Sequence, residues 1–344
     1  METKSLKEIS LNITEEEYRQ DPALSYSTLS RFQKTGFNNL DSLFDRIESP
    51  SLTFGSAVDS IITGGEEEFS ERFFVADFPQ LPDTLVTIVK ALFDTFNKTN
   101  RTIESIDDQD VITIALLYNY QNNWKPETRA KVIKEKGSSY YKLLYLSQGK
   151  TLLSNDTYLE VLKAVDALQT SLSTRFFFNR TNPFDSIEKL YQLKFKATLD
   201  GIDYKCMADE LIVDHITKTI YPIDLKTSSK PEWDFYKSFI EWNYQIQARL
   251  YWRIIRANLD KDPYFKDFKL EDYQFVVVNK KTLTPLVWKF EFTTSVGELT
   301  IGEHKLEDPE VLGKELHHYL TNNPPVPDGI NVDGINSLTN WLQK

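Results

Sequence analysis

The sequence predicts an α/β or α+β fold with a central sheet flanked by helices, and three observations lead to this prediction. Apolar segments broken by turn signals run from about residue 186 to residue 227, which is typical of strands. A segment with apolar residues at every fourth position follows, as expected of a long helix. A block from about residue 66 to residue 180 is helical in pattern. Strands bounded by long helices pack as a layered sandwich.

Composition narrows the classes of function. The chain has 344 residues, and its 40% hydrophobic content supplies a core. A net charge of −11 argues against broad attraction to a polyanion, although a local basic groove or a bound metal ion can coexist with an acidic exterior. The single cysteine, Cys206, excludes internal disulfides and fits a reducing compartment. No apolar run approaches the roughly 20 residues that span a bilayer, so we expect a cytoplasmic protein without a membrane partner.

The first elements are helices. "SYSTLSRFQ" predicts a short helix with Ser25 or Ser27 as its N-cap. "LTFGSAVDSIITG" predicts a helix over Gly55–Ile62 that ends at Gly64–Gly65. Helical patterns then continue through stretches such as "LPDTLVTIVKALFDTFNKT" and "DTYLEVLKAVDALQTSLS".

The second part of the chain has the sequence pattern of a β-sheet. A run of short strands with turns at Asp200–Gly201 and near Asp214–Lys218 predicts a meander. "EWDFYKSFIEWNYQIQARLYWRIIRANL" predicts one long helix, a strand pair follows in "DYQFVVVNKKTLTPLVWKFEFT", and "VLGKELHHYLTNNPP" predicts a helical tail. The apolar face of the long helix is expected to comprise Trp242, Ile246, Leu250 and Ile254.

The stretch "YPIDLKTSS" carries the chemistry. Side chains alternate along a strand, so Asp224 and Lys226 share one face while Ile223 and Leu225 are expected to face the core. A surface ion pair explains such a triplet equally well. Its context is Asp209 in "CMADELIVD", because the turn near "DHITKT" lets the two strands run antiparallel and can bring the two carboxylates together.

Two neighbouring carboxylates repel each other unless a cation lies between them, and hard oxygen ligands suit Mg²⁺ or Mn²⁺. A lysine beside such an ion can orient or help to deprotonate an attacking water. In the following helix, Gln247 and Tyr251 are four residues apart and share a face, where they could contact phosphate or position a nucleotide; ordinary helix surface gives the same pattern. These parts suit the hydrolysis of a phosphodiester.

In this order the segments resemble the PD-(D/E)XK nuclease superfamily, specifically its RecB-like and exonuclease VIII-like phage-type branch. The segments that carry the resemblance cover the first 60 residues and about 185 to 295: "SYSTLSRFQ" is similar to the S-x-S-x-L segment, "FGSAVDSII" to the G-x-x-x-H helix, "MADELIVD" to the acidic motif, "IDLKT" to the D-x-K motif and "YQIQARLY" to the Q-x-x-x-Y helix.

The resemblance implies a restriction-endonuclease-like mixed sheet in a single domain over residues 1–344. Its core would be about 20–65 and 181–300, with a helical insertion at about 66–180 and a tail at about 301–344.

The resemblance also assigns roles. It implies Asp209, Asp224 and the carbonyl of Leu225 as ligands of Mg²⁺ or Mn²⁺, and Lys226 as the water-activating base or electrostatic stabiliser. Gln247 and Tyr251 become catalytic residues that contact DNA, and Ser27 becomes a further nucleic-acid contact. Asp59 stands where the branch usually has histidine, and it could ligate the same metal or mark a degraded site. Glu188 could match the family's upstream acid.

The expected function is therefore metal-dependent hydrolysis of DNA, with an exonuclease of phage or recombination metabolism as the leading form. Such a protein would act in the cytoplasm, in that of the host if a phage encodes it. The alternative, prompted by Asp59 and the acidic pI, is a catalytically degraded member of the superfamily that acts as a DNA-binding or structural module. DNA is the expected partner, and the sequence leaves open a homo-oligomer or a phage recombination partner.

Overall fold

The computed structural model describes residues 3–36, 40, 42–44, 50–77, 81–97, 102–179 and 186–322. The chain divides into two compact units, the first formed by Met1–Ser49 and Ala167–Lys344 and the second by Pro50–Asp166. The second unit begins before the expected insertion of 66–180, so it includes the helix predicted at Gly55–Ile62. Over the described ranges, every helix is too short or too polar to cross a membrane.

The regular elements are numbered in chain order. The helices are α1 (Glu15–Gln20), α2 (Tyr26–Thr35), α3 (Pro50–Arg72), α4 (Asp83–Phe96), α5 (Asp108–Leu117), α6 (Pro126–Leu146), α7 (Asn155–Thr170), α8 (Arg175–Phe178), α9 (Phe235–Glu241), α10 (Tyr244–Leu259) and α11 (Pro309–Asn322). The strands are β1 (Phe73–Val75), β2 (Thr151–Leu153), β3 (Ile187–Leu199), β4 (Ile202–Asp214), β5 (Thr219–Ser228), β6 (Lys269–Leu270), β7 (Gln274–Asn279), β8 (Leu286–Lys289), β9 (Leu299–Ile301) and β10 (His304–Leu306).

The first unit is built on a mixed sheet in the order β3-β4-β5-β7-β8, with the short β6 beside β5. Strands β3, β4 and β5 form the predicted antiparallel meander, and β7 then runs parallel to β5 because α9 and α10 form the crossover. The strand pair β7–β8 is also antiparallel, as predicted. A mixed sheet accompanied by helices confirms the predicted fold class.

The prediction that the meander consists of short strands is wrong, because β3 and β4 each have 13 residues. Gln192 interrupts the pattern in β3 with a left-handed backbone (φ 54°). Leu190 and Leu193 consequently both lie in one core cluster although they are three residues apart, so the alternation shifts by one at Gln192. The turns themselves lie where they were predicted, with positive φ at Asp200, Gly201 and Lys218.

The prediction of a single long helix after the meander is also wrong, since this segment forms two helices, α9 and α10. Asn243 lies between them in a left-handed conformation (φ 54°, ψ 42°) and breaks the run of helical hydrogen bonds. The carbonyl released at Trp242 accepts hydrogen bonds from the Tyr26 hydroxyl (2.7 Å) and from Ser30 Oγ (3.0 Å). Trp242 is 48% exposed, so it does not belong to the apolar face with the three residues that follow it at four-residue spacing.

Helix α10 covers one face of the sheet and contacts β3 and β4, while α2 and α11 pack against the helix itself. Its residues Ile246, Leu250 and Ile254 are fully buried in the main core cluster, as predicted. Burial of each such side chain contributes about 1.5–3 kcal/mol. These contacts fix the rotation of α10 and therefore decide which of its polar residues face β5. Helix α11 is the predicted tail up to Asn322, and the remainder of the tail at 323–344 lies outside the described residues.

The second unit is largely helical, as predicted for residues 66–180. Helices α4, α5 and α6 surround an apolar cluster that includes Val89, Val111 and Ile133. Helices α4 and α6 approach closely at Gly137, where an added Cβ would lie 2.6 Å from a Val89 methyl. Helix α3 is broken at Gly65 (φ 77°), where its end was predicted. The parallel pair β1–β2 was not anticipated, because a pair of three-residue strands carries almost no pattern.

Candidate active site

Strand β5 presents Asp224 and Lys226 to the side of the sheet on which α10 lies. Asp224 is the register partner of Phe275 in β7, and Lys226 is the partner of Val277. Both of these partners belong to the main core cluster that includes α10. Asp224 is 0% exposed, which a carboxylate rarely is unless it has a dedicated role or partner.

The expected arrangement of faces on β5 is wrong in one respect. We expected Ile223 and Leu225 to face the core while Asp224 and Lys226 faced away from it. Ile223 is indeed 0% exposed, but Leu225 is only half-buried and Asp224 is as deeply buried as Ile223. The reason is that β5 is an interior strand with neighbours on both sides, and such strands can be covered on both faces.

Asp209 reaches this position from β4. The ladder between β4 and β5 ends at the pair Glu210–Ile223, and the same register places Asp209 opposite Asp224. Asp209 Oδ2 accepts a hydrogen bond from the backbone N–H of Leu225 at 3.0 Å. The carboxylate thus takes the place of a ladder hydrogen bond at the point where the two strands separate. The structure therefore brings Asp209 next to the D-x-K segment.

Across β4, Gln192 of β3 occupies the register position that faces Asp209. The pairs Tyr191–Glu210 and Leu193–Ala208 flank this position, and the ladder is interrupted between them. A left-handed backbone costs a non-glycine residue about 1–2 kcal/mol, and such strain is concentrated at functional sites. Gln192 was not predicted as a site residue, because nothing in a sequence marks a left-handed glutamine inside a strand.

Glu210 follows Asp209 but points to the other face of the sheet, where its register partner is Ile223. It is 1% exposed. Burial raises the pKa of Glu210 well above its ordinary value, against the opposing effects of Lys189 and Tyr191. Of the two acids in "MADELIVD", Asp209 is therefore the one that belongs to the site.

Lys226 forms an ion pair with Asp224 Oδ2, and its ammonium group lies 4.7 Å from the centre of the Tyr244 ring. Burial by itself would lower the pKa of Lys226, but the charges of Asp224 and Asp209 outweigh it and hold the pKa above its usual value. The side chain therefore carries a positive charge at neutral pH. The two roles that the resemblance implies for Lys226, water-activating base and electrostatic stabiliser, stay predictions.

Helix α10 supplies Gln247 and Tyr251. Gln247 is 4% exposed, and its Nε2 donates a hydrogen bond to Asp224 Oδ1. Tyr251 is 8% exposed, and burial raises its pKa well above the ordinary value, with further contributions from Asp224 and Asp209. Gln247 thus fixes the orientation of the Asp224 carboxylate. The contact of Gln247 and Tyr251 with DNA stays a prediction.

Tyr273 is a residue of the site that the sequence analysis missed. It is 0% exposed, and its hydroxyl lies 3.5 Å from Asp224 Oδ1, at the limit of a hydrogen bond. Its ring packs edge-on against Tyr251 with the ring centres 6.2 Å apart. Burial raises its pKa well above the ordinary value, and Asp224 adds to this effect. A tyrosine before an apolar strand is too common to be singled out from sequence.

Glu188, one of the predicted metal ligands, is not gathered with this group. Glu188 is the register partner of Val213, four residues along β4 from Asp209 and so about 13 Å away. It instead accepts a hydrogen bond from Ser5 Oγ and lies 3.6 Å from Nε2 of His215.

Ser27 is exposed in the first turn of α2, where its hydroxyl lies 2.9 Å from that of Ser25. Asp59 is half-buried on α3 in the second unit, and its backbone carbonyl accepts a hydrogen bond from Thr63 Oγ1 at 3.0 Å. The roles predicted for Ser27 and Asp59 stay predictions.

The oxygen atoms of this group fit a hard divalent cation. Asp224 Oδ2 is buried and accepts no well-formed hydrogen bond from the described residues, although it contacts the ammonium of Lys226. Asp209 lies opposite Asp224 and supplies further oxygen donors, and the Leu225 carbonyl is the third ligand that the resemblance implies. Within the described ranges no cluster of three or more His, Cys, Asp or Glu side chains could hold a metal. Mg²⁺ is commonly held by one or two carboxylates and keeps several waters, so a two-carboxylate site suits it better than zinc.

Comparison with known proteins finds distant structural similarity. No protein-family model matches the chain, and no curated protein matches it. A solved structure described as "Putative exonuclease" from Eubacterium rectale is similar over 91% of this chain and 84% of that one, with 14% sequence identity and a TM-score of 0.38. At this level of similarity the neighbour's description does not transfer, so the function has to be argued from the residues of this chain.

Proposed function

We propose that the first unit hydrolyses DNA phosphodiester bonds with the help of Mg²⁺ or Mn²⁺, as an exonuclease of the phage or recombination type. The observation that carries this proposal is the environment of Asp224. This carboxylate is completely buried, is oriented by Gln247, contacts the charged Lys226 and lies beside Asp209. Four polar side chains from three elements converge on one point, although each could have been placed in water at lower cost.

The residues divide the work by their chemistry. Asp209, Asp224 and the Leu225 carbonyl would hold the cation, which when bound polarises a phosphoryl oxygen and activates water. Gln247 keeps Asp224 in one rotamer through its hydrogen bond to Oδ1, which leaves Oδ2 directed towards Lys226. The Lys226 ammonium would stabilise the negative charge that develops on the phosphate in the transition state.

A second function is favoured by one contact. The ammonium of Lys226 lies directly against Asp224 Oδ2, the oxygen that a cation would need. If this ion pair persists in the presence of metal, the lysine neutralises the site and the protein would bind DNA or a partner without cleaving it. The substitution of Asp59 for the histidine of the resembling family points the same way.

The decisive experiment incubates duplex and single-stranded DNA, labelled in turn at each end, with Mg²⁺ or Mn²⁺ and with or without chelator. We expect metal-dependent release of nucleotides, and a loss of more than about 100-fold in Lys226→Ala and Asp224→Asn. Matched controls are Lys196→Ala, which removes a half-buried lysine paired with Asp21, and Asp308→Asn, measured at a temperature where it is folded.

Two outcomes contradict the proposal in different ways. Metal-dependent cleavage that survives in Lys226→Ala and Asp224→Asn would mean that the active site lies elsewhere. Absence of cleavage by the wild-type protein, together with no calorimetric uptake of Mn²⁺ that is sensitive to Asp209→Ala, would support the binding function instead. The label position at which product first appears distinguishes exonucleolytic from endonucleolytic cutting.

A further inference from the structure

An aromatic pocket opens beside the candidate active site, between α9 and strands β7 and β8. Its volume is about 130 Å³. Apolar cavities of roughly 150 Å³ hold one benzene ring, whereas pockets for drug-sized ligands run from about 300 Å³ upward. The aromatic pocket therefore has room for one ring system. Its walls are Phe235, Tyr236, Phe239, Phe275, Trp288 and Phe290.

The aromatic pocket shares its wall with the active site. Asp224, Phe275 and Trp288 are consecutive register partners across β5, β7 and β8, so they form one row on the same face. Neighbouring strands are about 4.8 Å apart, which places the pocket about 5–10 Å from the strand of Asp224. Tyr244 stacks on Phe235 with ring centres 5.7 Å apart and carries the ammonium of Lys226 at 4.7 Å on its own ring.

The lining favours stacking over recognition by hydrogen bonds. The indole N–H of Trp288 is already donated to the backbone carbonyl of Glu232 at 3.0 Å, so the walls offer little beyond ring faces and edges. Tyr236 is 54% exposed and leaves one wall open to solvent. A peptide would bring backbone N–H and C=O groups that need partners, and aromatic walls supply none. A planar heterocycle can instead stack through its faces and keep its polar edge in solvent at the open wall.

Positive charge lies at the rim of this apolar pocket. Lys289 belongs to the lining and pairs with Asp272 at 3.0 Å, and Lys237 lies over the Tyr236 ring and pairs with Asp234 at 3.0 Å. Exposed pairs of this kind contribute little to stability, so a phosphate can displace the acid at small cost. An aromatic slot with ammonium groups at its edge complements a nucleotide, because the base is apolar on its faces and the backbone is anionic.

We propose that the aromatic pocket binds one unpaired nucleobase of the strand whose phosphate lies at Asp224 and Lys226. This inference rests on the proposed function, since it assumes a nucleic-acid substrate at that site. At about 5–10 Å from Asp224, and with a rise of about 3.4 Å per nucleotide, the pocket is within reach of a base close to the scissile phosphate. Because every base has a stacking face, the pocket selects unpaired strands without selecting a sequence.

The test measures binding and keeps chelator present throughout, so that it does not depend on cleavage. Fluorescence anisotropy compares a labelled oligothymidylate with an abasic strand of the same length, which has the phosphates but lacks the bases. We expect the wild-type protein to bind the base-bearing strand roughly tenfold more tightly. Tyr236→Leu and Phe239→Leu should bring this ratio close to one without changing how steeply affinity falls with salt, since the phosphate contacts are retained.

The matched control is Tyr145→Leu. Tyr145 is also 54% exposed but belongs to the second unit, so its replacement should preserve the tenfold ratio. Wild-type circular dichroism spectra are required of all three variants. Ratios near ten in both Tyr236→Leu and Phe239→Leu would overturn the proposal. So would a dimer, detected by sedimentation, that these substitutions dissociate while the ratio stays unchanged, because the pocket would then hold a second copy of the chain.

The two proposals fail separately. If the wild-type protein cleaves DNA and the base-dependent ratio is insensitive to Tyr236→Leu and Phe239→Leu, the pocket proposal falls and the hydrolytic proposal stands. If no DNA is cleaved with either metal ion but the ratio falls in these variants, the pocket binds a base and the hydrolytic proposal falls.

Discussion

Helix α10 carries polar residues on two opposite faces, and the two faces differ in how completely their buried polar groups are hydrogen-bonded. Gln245, Arg249 and Arg253 form one stripe at four-residue spacing, while Gln247 and Tyr251 form another on the far side. Arg249 is 0% exposed, and all three of its guanidinium nitrogens donate hydrogen bonds. On the other face, Gln247 Oε1 is buried and accepts no hydrogen bond within the described part of the chain.

The arginine stripe is completed by Asp308. This carboxylate accepts hydrogen bonds from Arg249, from Arg253 and from the backbone N–H groups of Gly297 and Glu310. Such a network leaves little for a ligand to bind, so its role is to attach α11 and the preceding loop to α10. Asp224 is satisfied less completely: one of its oxygens accepts a hydrogen bond from Gln247, while the other contacts Lys226 and accepts no well-formed hydrogen bond within the described ranges. Incomplete satisfaction of a buried group is costly, and it persists where function requires it.

The largest effect on stability is expected when Asp is replaced by Asn at Asp308, in comparison with the same replacement at Asp224 on the opposite side of α10. Asp308→Asn leaves Arg249 and Arg253 without their anion, and we expect the free energy of unfolding to fall by about 3 kcal/mol or more. Asp224→Asn should change it by less than about 1 kcal/mol, because the side chain of Lys226 is 18% exposed and its ammonium can turn to water. Urea unfolding at pH 7 measures both values. Equal losses in the two variants would show that Asp224 is as structural as Asp308.

The contribution of Asp308 to the free energy of unfolding should also depend on pH. Burial would raise the pKa of Asp308, but hydrogen bonds and charge from Arg253 outweigh it and lower the pKa to about 2. A carboxylate with a depressed pKa stabilises the fold above the pKa of the unfolded chain, near 3.9, and this contribution is lost as the pH falls towards 2. The full shift corresponds to about 2.6 kcal/mol, of which about 2 kcal/mol is lost between pH 5 and pH 2.

Urea unfolding of wild-type protein and Asp308→Asn between pH 5 and pH 2 measures this contribution. We expect the difference in stability between the two proteins to narrow by about 2 kcal/mol, mostly below pH 4. A difference that stays constant down to pH 2 would mean that Asp308 is not the group whose protonation destabilises the fold.

Sequence patterns predict those site residues whose positions depend on local backbone geometry. Strand alternation places Asp224 and Lys226 together, and the Asp214–Lys218 turn fixes the register that carries Asp209 to them. Helical spacing aligns Gln247 with Tyr251, but only the packing of α10 decides that Gln247 meets Asp224.

Contacts between residues that are far apart in the chain cannot be predicted from such local patterns. Asp308 lies 59 residues from Arg249, and Tyr273 lies 49 residues from Asp224. The left-handed Asn243, which ended a predicted helix, is stabilised by the tertiary contacts of α2 with the neighbouring carbonyl rather than by a local signal.

The smallest effect is expected for Tyr273→Phe, which tests whether the Tyr273 hydroxyl takes part in the reaction or only packs beneath Asp224. At 3.5 Å its hydrogen bond to Asp224 is weak, so Tyr273→Phe should lower stability by less than about 1 kcal/mol and the rate of metal-dependent cleavage by less than about fivefold. The control is Tyr204→Phe, which removes a hydroxyl that is also buried but has no hydrogen-bond partner in the described residues.

Tyr204→Phe should therefore be neutral or slightly stabilising, and should leave cleavage unchanged. Urea unfolding and initial cleavage rates measure both variants. A loss of more than 100-fold in Tyr273→Phe, without a loss of stability, would give the phenol a direct part in the reaction. Asp224 would then be held both from α10 and from the residue that precedes β7, and the incomplete face of α10 would be only half of the site.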